Sequence, residues 1–570
     1  MENRNPFEHN YFIGYINYVS AQFVKVHFPS STLLQSFTFK GENLNGGLVG
    51  NFVVIEGEQF GFLGKIQELS LPEKERLEFS EKSFKNSDFH PTGKIEILLS
   101  FDLFEPTKID KGLNALPVIG AKVFVCSSNF IRSYFRKFGI KHEHLQTSPV
   151  FELGKLTFDK SAPIEVSQQA IFGRHCAVVG TTGGGKSYTV SKLLEGIVSN
   201  NGKAIIVDAT GEYSTHDKNS YSDIPATLST NSFFHYSNLT VGDLFVLLRP
   251  SGQVQQPVLL DAIHSLKLVQ IAKRENRNLE QIKDGILIKK QALKRPIFDL
   301  YNEFSEEIEK SNADFDIQKL TQQLRRECVY DSHKFGEDIT RWGDLDKRKF
   351  ENSTSLFLRT ENLIQTESFK NIFGFGKQKT DEGELATRIS DFLNGDKKIL
   401  RIGFENVGFD FQAREIVANA IGKYLLEMAR KGKFNEKPLV LFVDEAHQYL
   451  NKSVKDEYFE LTQLNSFDSI AKECRKYGLF LTIATQMPRD IPLGTLSQIG
   501  TFIIHRLINH YDKEAIANAS SSANRNTLDF LPVLGAGEAI LMGVDFPMSV
   551  MLKINKPLTP PNSNTPQFKI

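Results

Sequence analysis

Four apolar runs, residues 177–179, 204–207, 439–443 and 479–485, show no regular alternation with polar positions, and after an insertion the core resumes at 399–402. Each therefore reads as a strand buried on both faces, the pattern of a parallel sheet. Helical spacing lies between them. Val190, Leu193, Leu194 and Ile197 recur at intervals of three and four, and so do Ile416, Ala420, Tyr424 and Met428 beside Val417, Ile421 and Leu425. Buried strands alternating with amphipathic helices predict an α/β core. Before residue 150 the pattern differs, with short β-rich stretches at 23–28, 52–55, 95–100 and 122–126, some parted by Gly47, Gly50 and Gly120, which predicts a small barrel or sandwich.

These shifts divide the chain into a β-barrel assembly or partner domain over 1–150, a first core segment over 151–239, and a helical insertion over 240–395. A second core segment follows over 396–550, then an extended tail over 551–570. The insertion is rich in Lys, Glu, Gln and Leu, with Leu259, Ile263 and Leu266 at helical spacing. Within it, the basic run 289–295 is expected to be a solvated helix face rather than a phosphate contact. The Pro-rich stretch 556–561 cannot be helical and is expected to lie extended over a neighbouring surface or to stay mobile.

A chain of 570 residues exceeds one core. Its composition is that of an ordinary globular protein, with no apolar run long enough to span a bilayer and no signal-peptide pattern, so a soluble cytoplasmic protein without a membrane is expected. The four cysteines form no close pair, which argues against a disulfide framework or a zinc site. Lys plus Arg equals Asp plus Glu at 68 each, so bulk charge neither supports nor excludes a nucleic-acid partner.

The strand at 177–179 runs into Gly180, Thr181, Thr182, Gly183, Gly184, Gly185, Lys186 and Ser187, which fits G-x-x-x-x-G-K-[ST] at every fixed position. Backbone N–H groups must curl inward around phosphates, and glycines permit that curl. The helix that follows, with Tyr188 in its first turn, turns its positive end to the phosphates. Lys186 supplies an ammonium, and the Ser187 hydroxyl a ligand for Mg²⁺. ATP and Mg²⁺ are the expected cofactors.

The run at 439–443 delivers Asp444 and Glu445 at its carboxyl end, the first assigned to Mg²⁺ and the second to polarising the attacking water. His447 is expected to be a structural hydrogen-bonder. The run at 479–485 ends in Gln486, placed to sense the γ-phosphate or hold the water. Asp208 and Glu212 fall on the same sheet edge with no role assigned. One phosphate loop and one acid pair leave a wall of the site missing. The chain is therefore expected to form a closed ring in which a neighbour lends an arginine, with Arg475, Arg174 and Arg506 as candidates.

Residues 171–187, 207–213, 443–447 and 484–488, with 501–512 and 534–539, closely resemble the HerA family of the HerA/FtsK superfamily in order and chemistry. The resemblance covers most of the chain outside the insertion. It implies an N-terminal β-barrel, a RecA-like P-loop core interrupted by helices, a homo-hexameric ring ATPase, and double-stranded DNA driven through a central pore. By the same resemblance Arg475 matches the arginine offered in trans and Arg174 a second catalytic arginine. The chain departs from the family in having Gln486-Met487-Pro488 where Gln-Arg-Pro is usual. The family commonly works with a separate effector, a nuclease or a sirtuin-type NAD hydrolase, expected here on the N-terminal domain and in defence against phage.

An alternative is an assembly scaffold in which nucleotide stabilises a ring that activates or restrains the effector. A third reading, a secretion ATPase of the same superfamily, lacks a membrane anchor in this sequence.

Overall fold

The computed structural model describes residues 5–21, 23–72, 89–104, 109–110, 115–137, 147–157, 163–333, 338–450, 464–520, 525–546 and 548–563. The chain divides into two compact units. The first comprises residues 1–202 and 480–561, the second 203–479 and 562–570.

The first unit begins with a closed antiparallel barrel. Its strands run Phe12–Val19, Lys122–Val125, Phe52–Ile55, Phe60–Ser70, Thr92–Asp102 and Phe23–His27 around the wall, and the last pairs back to the first. Inward positions Val24, Val26, Val53, Ile55, Ile66, Ile95 and Val123 fill the interior. Closure requires strands to bend, and the register shifts between Leu63 and Gly64, where a Cβ would meet Ile95 Cγ2 at 2.5 Å. The barrel reading thus prevails over the sandwich.

The same unit holds a mixed sheet in the order Pro163–Ser167, Val150–Leu156, Val550–Ile554, Glu538–Gly543, Thr501–Ile504, Cys176–Val179, Leu479–Thr485. Its last three strands are parallel and the others antiparallel. The helix Lys186–Ser199 buries Val190, Leu193, Leu194 and Ile197, the stripe legible in the sequence. The described part of the tail, residues 551–563, is non-helical, and Thr559 N donates to Glu195 Oε1 at 2.8 Å.

The second unit carries four parallel strands in the order Leu439–Val443, Lys203–Asp208, Ile399–Gly403, Ala226–Thr227. The helix Ala413–Arg430 buries Ile416, Val417, Ile421 and Leu425. The insertion is mainly helical, led by Gly252–Arg274 and Lys347–Gln365, and it builds its own small core from Leu268, Ile271, Leu287, Ile297, Leu300, Ile308 and Trp342.

One expectation fails here. Residues 289–294 form a turn, because the short strand Ile286–Leu287 precedes them and Pro296 starts the next helix, Arg295–Glu303. Their charges are paired within the unit: Lys289 with Glu327 at 2.5 Å, Lys290 with Asp344 at 3.5 Å and Lys294 with Asp331 at 2.9 Å.

Candidate functional site

In the first unit, parallel register decides which residues meet. Val179 pairs with Thr485 on one side and Ile504 on the other, so the next residues, Gly180, Gln486 and His505, emerge at one sheet edge. Gly183 at φ +74° and Gly185 at φ +114° occupy left-handed backbone that a side chain would strain. A Cβ on Gly185 would also meet Gly537 Cα at 3.1 Å and His505 Cε1 at 3.2 Å. Gly180 has even less room, with His505 Cβ 2.5 Å from its Cβ position.

Lys186 opens the helix, is buried, and donates from Nζ to Thr181 O at 3.4 Å. Ser187 and Tyr188 lie half-buried in its first turn. Thr182 Oγ1 donates to Gln486 Oε1 at 2.5 Å, so the structure brings the predicted sensor to the loop. Thr181 is anchored by its N–H to Arg506 O at 3.0 Å. Arg506 itself has an exposed side chain. Arg174 is held by Asp545, Nε to Oδ2 at 2.8 Å.

Sequence reasoning missed His505. It is fully buried, with Nε2 2.8 Å from Thr189 Oγ1 and Nδ1 2.8 Å from Glu538 O. Burial lowers its pKa to about 4, against the upward pull of the Glu538 carbonyl, so the ring is neutral at pH 7. A histidine directly after an apolar run was the available signal.

In the second unit, Val207 pairs with Val443 and Asp444 N donates to Val207 O at 3.0 Å, which sets Asp208 and Asp444 at one edge. Asp208 accepts from Gly211 N at 2.9 Å and Tyr213 N at 3.1 Å, so its carboxylate organises the following turn. Arg401, 4% exposed, reaches Asp208 at 3.2 Å, Asp217 at 2.9 Å and Glu405 at 3.1 Å. Burial raises Asp208 to about 6 despite Arg401, and pushes Asp444 well above the usual carboxylate range, helped by Asp208, Glu445 and Glu212. Tyr213 Oη lies 3.5 Å from Asp444 Oδ1. Glu445 has a left-handed backbone, φ 44°, and its Oε2 is 3.3 Å from His447 Nδ1. Arg475 is exposed on the short turn Cys474–Tyr477.

Among the described residues no group of three or more His, Cys, Asp or Glu side chains is arranged to hold a metal ion. Asp444 is a desolvated acid whose neighbours add negative charge, with one buried guanidinium already committed to three carboxylates. Arg401 was not anticipated from sequence, since an arginine inside an apolar run carries no spacing signal.

A strand, a glycine loop with two left-handed positions, and a helix that starts at a buried lysine define a P-loop nucleoside triphosphatase. The family described as "Helicase HerA, central domain" matches residues 151–380, and "Helicase HerA-like C-terminal" matches residues 424–564. A probable helicase of Methanocaldococcus jannaschii is 26% identical over 71% of this chain and 70% of its own. The DNA double-strand break repair helicase HerA of Pyrococcus furiosus is 22% identical over 71% of this chain and 69% of its own. Among solved structures, VirB4 of Thermoanaerobacter pseudethanolicus aligns with TM-score 0.43 at 14% identity, over 71% of this chain and 96% of that one. The chain belongs to the HerA family of ATPases. No helix among the described residues is long and apolar enough to cross a membrane.

Proposed function

We propose that this chain is a homo-hexameric ring motor that couples hydrolysis of Mg²⁺-ATP to movement along double-stranded DNA. The observation that carries the reading is the phosphate cradle of the first unit, with Lys186 at the helix start and Gln486 bonded to Thr182. In the proposed reaction the loop from Gly180 to Ser187 and the adjoining Tyr188 would hold the triphosphate, and Ser187 and Asp444 would hold Mg²⁺. The bound cation would neutralise charge on the phosphates. Glu445 polarises the attacking water, and Gln486 positions it. Arg475 of a neighbouring copy stabilises charge developing on the γ-phosphate, and Arg174 acts as a second arginine.

The domain order supports the same reading: a barrel over 1–150, core segments over 151–239 and 396–550, the insertion over 240–395 and the tail from 551. The double-strand-break-repair names of the relatives support DNA as the track. The barrel exposes Leu116, Val118 and Ile119, the last at 71%, which supports docking of a separate effector there, a nuclease or NAD-consuming protein acting in defence against phage.

The test is native mass measurement alongside ATPase rate, with and without linear duplex. A six-fold assembly whose rate rises with duplex, and whose DNA affinity falls steeply with salt, is expected. A monomer that hydrolyses ATP at the full rate, indifferent to duplex, overturns it.

A further inference from the structure

The helical insertion contains a cavity of about 240 Å³ that the ATPase reading does not use. The helix Gly252–Arg274 turns Asp261, His264 and Leu268 into it, at i, i+3 and i+7. The helix Arg295–Glu303 contributes Phe298 and Tyr301, and Trp342 closes the wall. Trp342 is the only tryptophan of the chain and is 8% exposed, whereas Phe298 leaves 49% of its surface open. Their ring centroids are 5.9 Å apart at 36°, two aromatic faces splayed rather than packed flat.

The polar groups here are short of partners. No described residue donates a hydrogen bond to the Asp261 carboxylate, and none accepts from the Trp342 indole N–H. Burial pushes the Asp261 acid up and His264 down, the behaviour of groups whose solvation has not been replaced by strong bonds. The occupant's charge is constrained as well. Lys289 and Lys294 already place ammonium groups 5.5 and 5.9 Å from the Trp342 ring, so the ring's attraction for a cation is already used. Those lysines are neutralised by Glu327 and Asp331, and Asp261 repels an anion. What remains is a flat, neutral ring system with N–H donors on one edge. The volume lies below the roughly 300 Å³ at which drug-sized pockets begin, so one base or nucleoside is the scale.

We propose that this cavity is a binding site for guanine as the free base or nucleoside, with the ring stacked against Trp342 and Phe298 and its adjacent N1–H and N2–H groups donating to Asp261. A carboxylate takes two parallel donors in a forked pair. Adenine presents one donor beside a bare ring nitrogen, which sets a lone pair against the carboxylate and selects against it.

The single tryptophan makes the site self-reporting. The full-length chain, held in excess non-hydrolysable ATP analogue, is titrated with guanosine, following Trp342 emission and, independently, equilibrium dialysis of labelled guanosine. One guanosine per chain is expected, unaffected by the analogue, with adenosine at least about tenfold weaker. Asp261→Asn and the exposed Phe298→Ala are each expected to weaken guanosine at least about tenfold. Absence of saturable binding up to about 1 mM overturns the site. Displacement by the ATP analogue, equal affinity for adenosine, or unchanged affinity in Asp261→Asn overturns it equally. None of these outcomes depends on DNA, assembly or hydrolysis, so this site and the motor reading stand or fall separately.

Discussion

His505 Nε2 lies 2.8 Å from Thr189 Oγ1, while the other ring nitrogen faces the Glu538 carbonyl at the same distance. A carbonyl only accepts, so Nδ1 carries the proton and Nε2 accepts from the threonine hydroxyl. The ring thereby ties the phosphate-loop helix to the strand Glu538–Gly543, and its Cβ fills the space that Gly180 leaves by lacking one. His505→Ala is expected to raise KM for ATP about tenfold while kcat at saturation changes by no more than about threefold, because the residue shapes the cradle without touching phosphate. His505→Gln, which can still accept from Thr189, should recover part of the affinity. A fall in kcat with KM unchanged would show that the histidine acts on chemistry instead.

The same histidine gives a pH dependence. Its folded pKa is about 4, below the 6.5 of a free histidine, so between these values the unfolded chain binds more protons. Stability from this group is full above pH 6.5 and is lost as pH falls toward 4. Between pH 7 and pH 5 the loss is about 2 kcal/mol. His216, likewise buried and held at about 4, adds in the same direction. Denaturant midpoints across this range should fall toward acid in the parent chain, and less steeply in His505→Gln.

What the sequence exposed and what it hid follow from range. The apolar runs at 177–179, 204–207, 439–443 and 479–485 all became strands, because a segment buried on both faces needs no partner's identity to be recognised. The glycine loop was legible because backbone curl and phosphate binding both demand residues at fixed spacing. His505 and Arg401 were hidden, since each matters through a contact made by strand register between segments far apart in the chain. The run 289–295 misled for the opposite reason. Its composition suits a helix face, but Pro296 and the preceding short strand turn it into a loop whose charges are already spoken for.

Among the described residues Arg401 is the one guanidinium that touches Asp208, Asp217 and Glu405 together, and it is 4% exposed. Arg401→Met removes a cation from buried carboxylates and is expected to destabilise the second unit by about 3–5 kcal/mol. The sign with pH is opposite to that of His505. Burial raises the folded pKa of Asp208 to about 6, so its contribution is full below the unfolded value near 3.8 and is lost as pH rises through 6. The variant should therefore be closer to the parent at pH 5 than at pH 8 in thermal midpoint. An equal deficit at both would show that lost packing, not uncompensated charge, is the cause.

Arg475 is exposed and Glu445 is 14% exposed at the end of a buried strand, which suits one to act outward and the other within its own subunit. Arg475→Ala and Glu445→Gln, each alone, are expected to lower hydrolysis by at least about a hundredfold while Glu445→Gln still binds ATP. Mixing them separates two geometries. If the arginine serves its own subunit, every site in a mixed assembly lacks one group and hydrolysis stays absent. If it serves a neighbour, a site with intact Glu445 beside a subunit with intact Arg475 is whole. Random equal mixing makes about a quarter of interfaces whole, so about a quarter of the parent rate should return in a closed ring. ATPase measured across mixing ratios, with the maximum at equal proportions, is the check. A flat line at zero assigns Arg475 away from the shared interface.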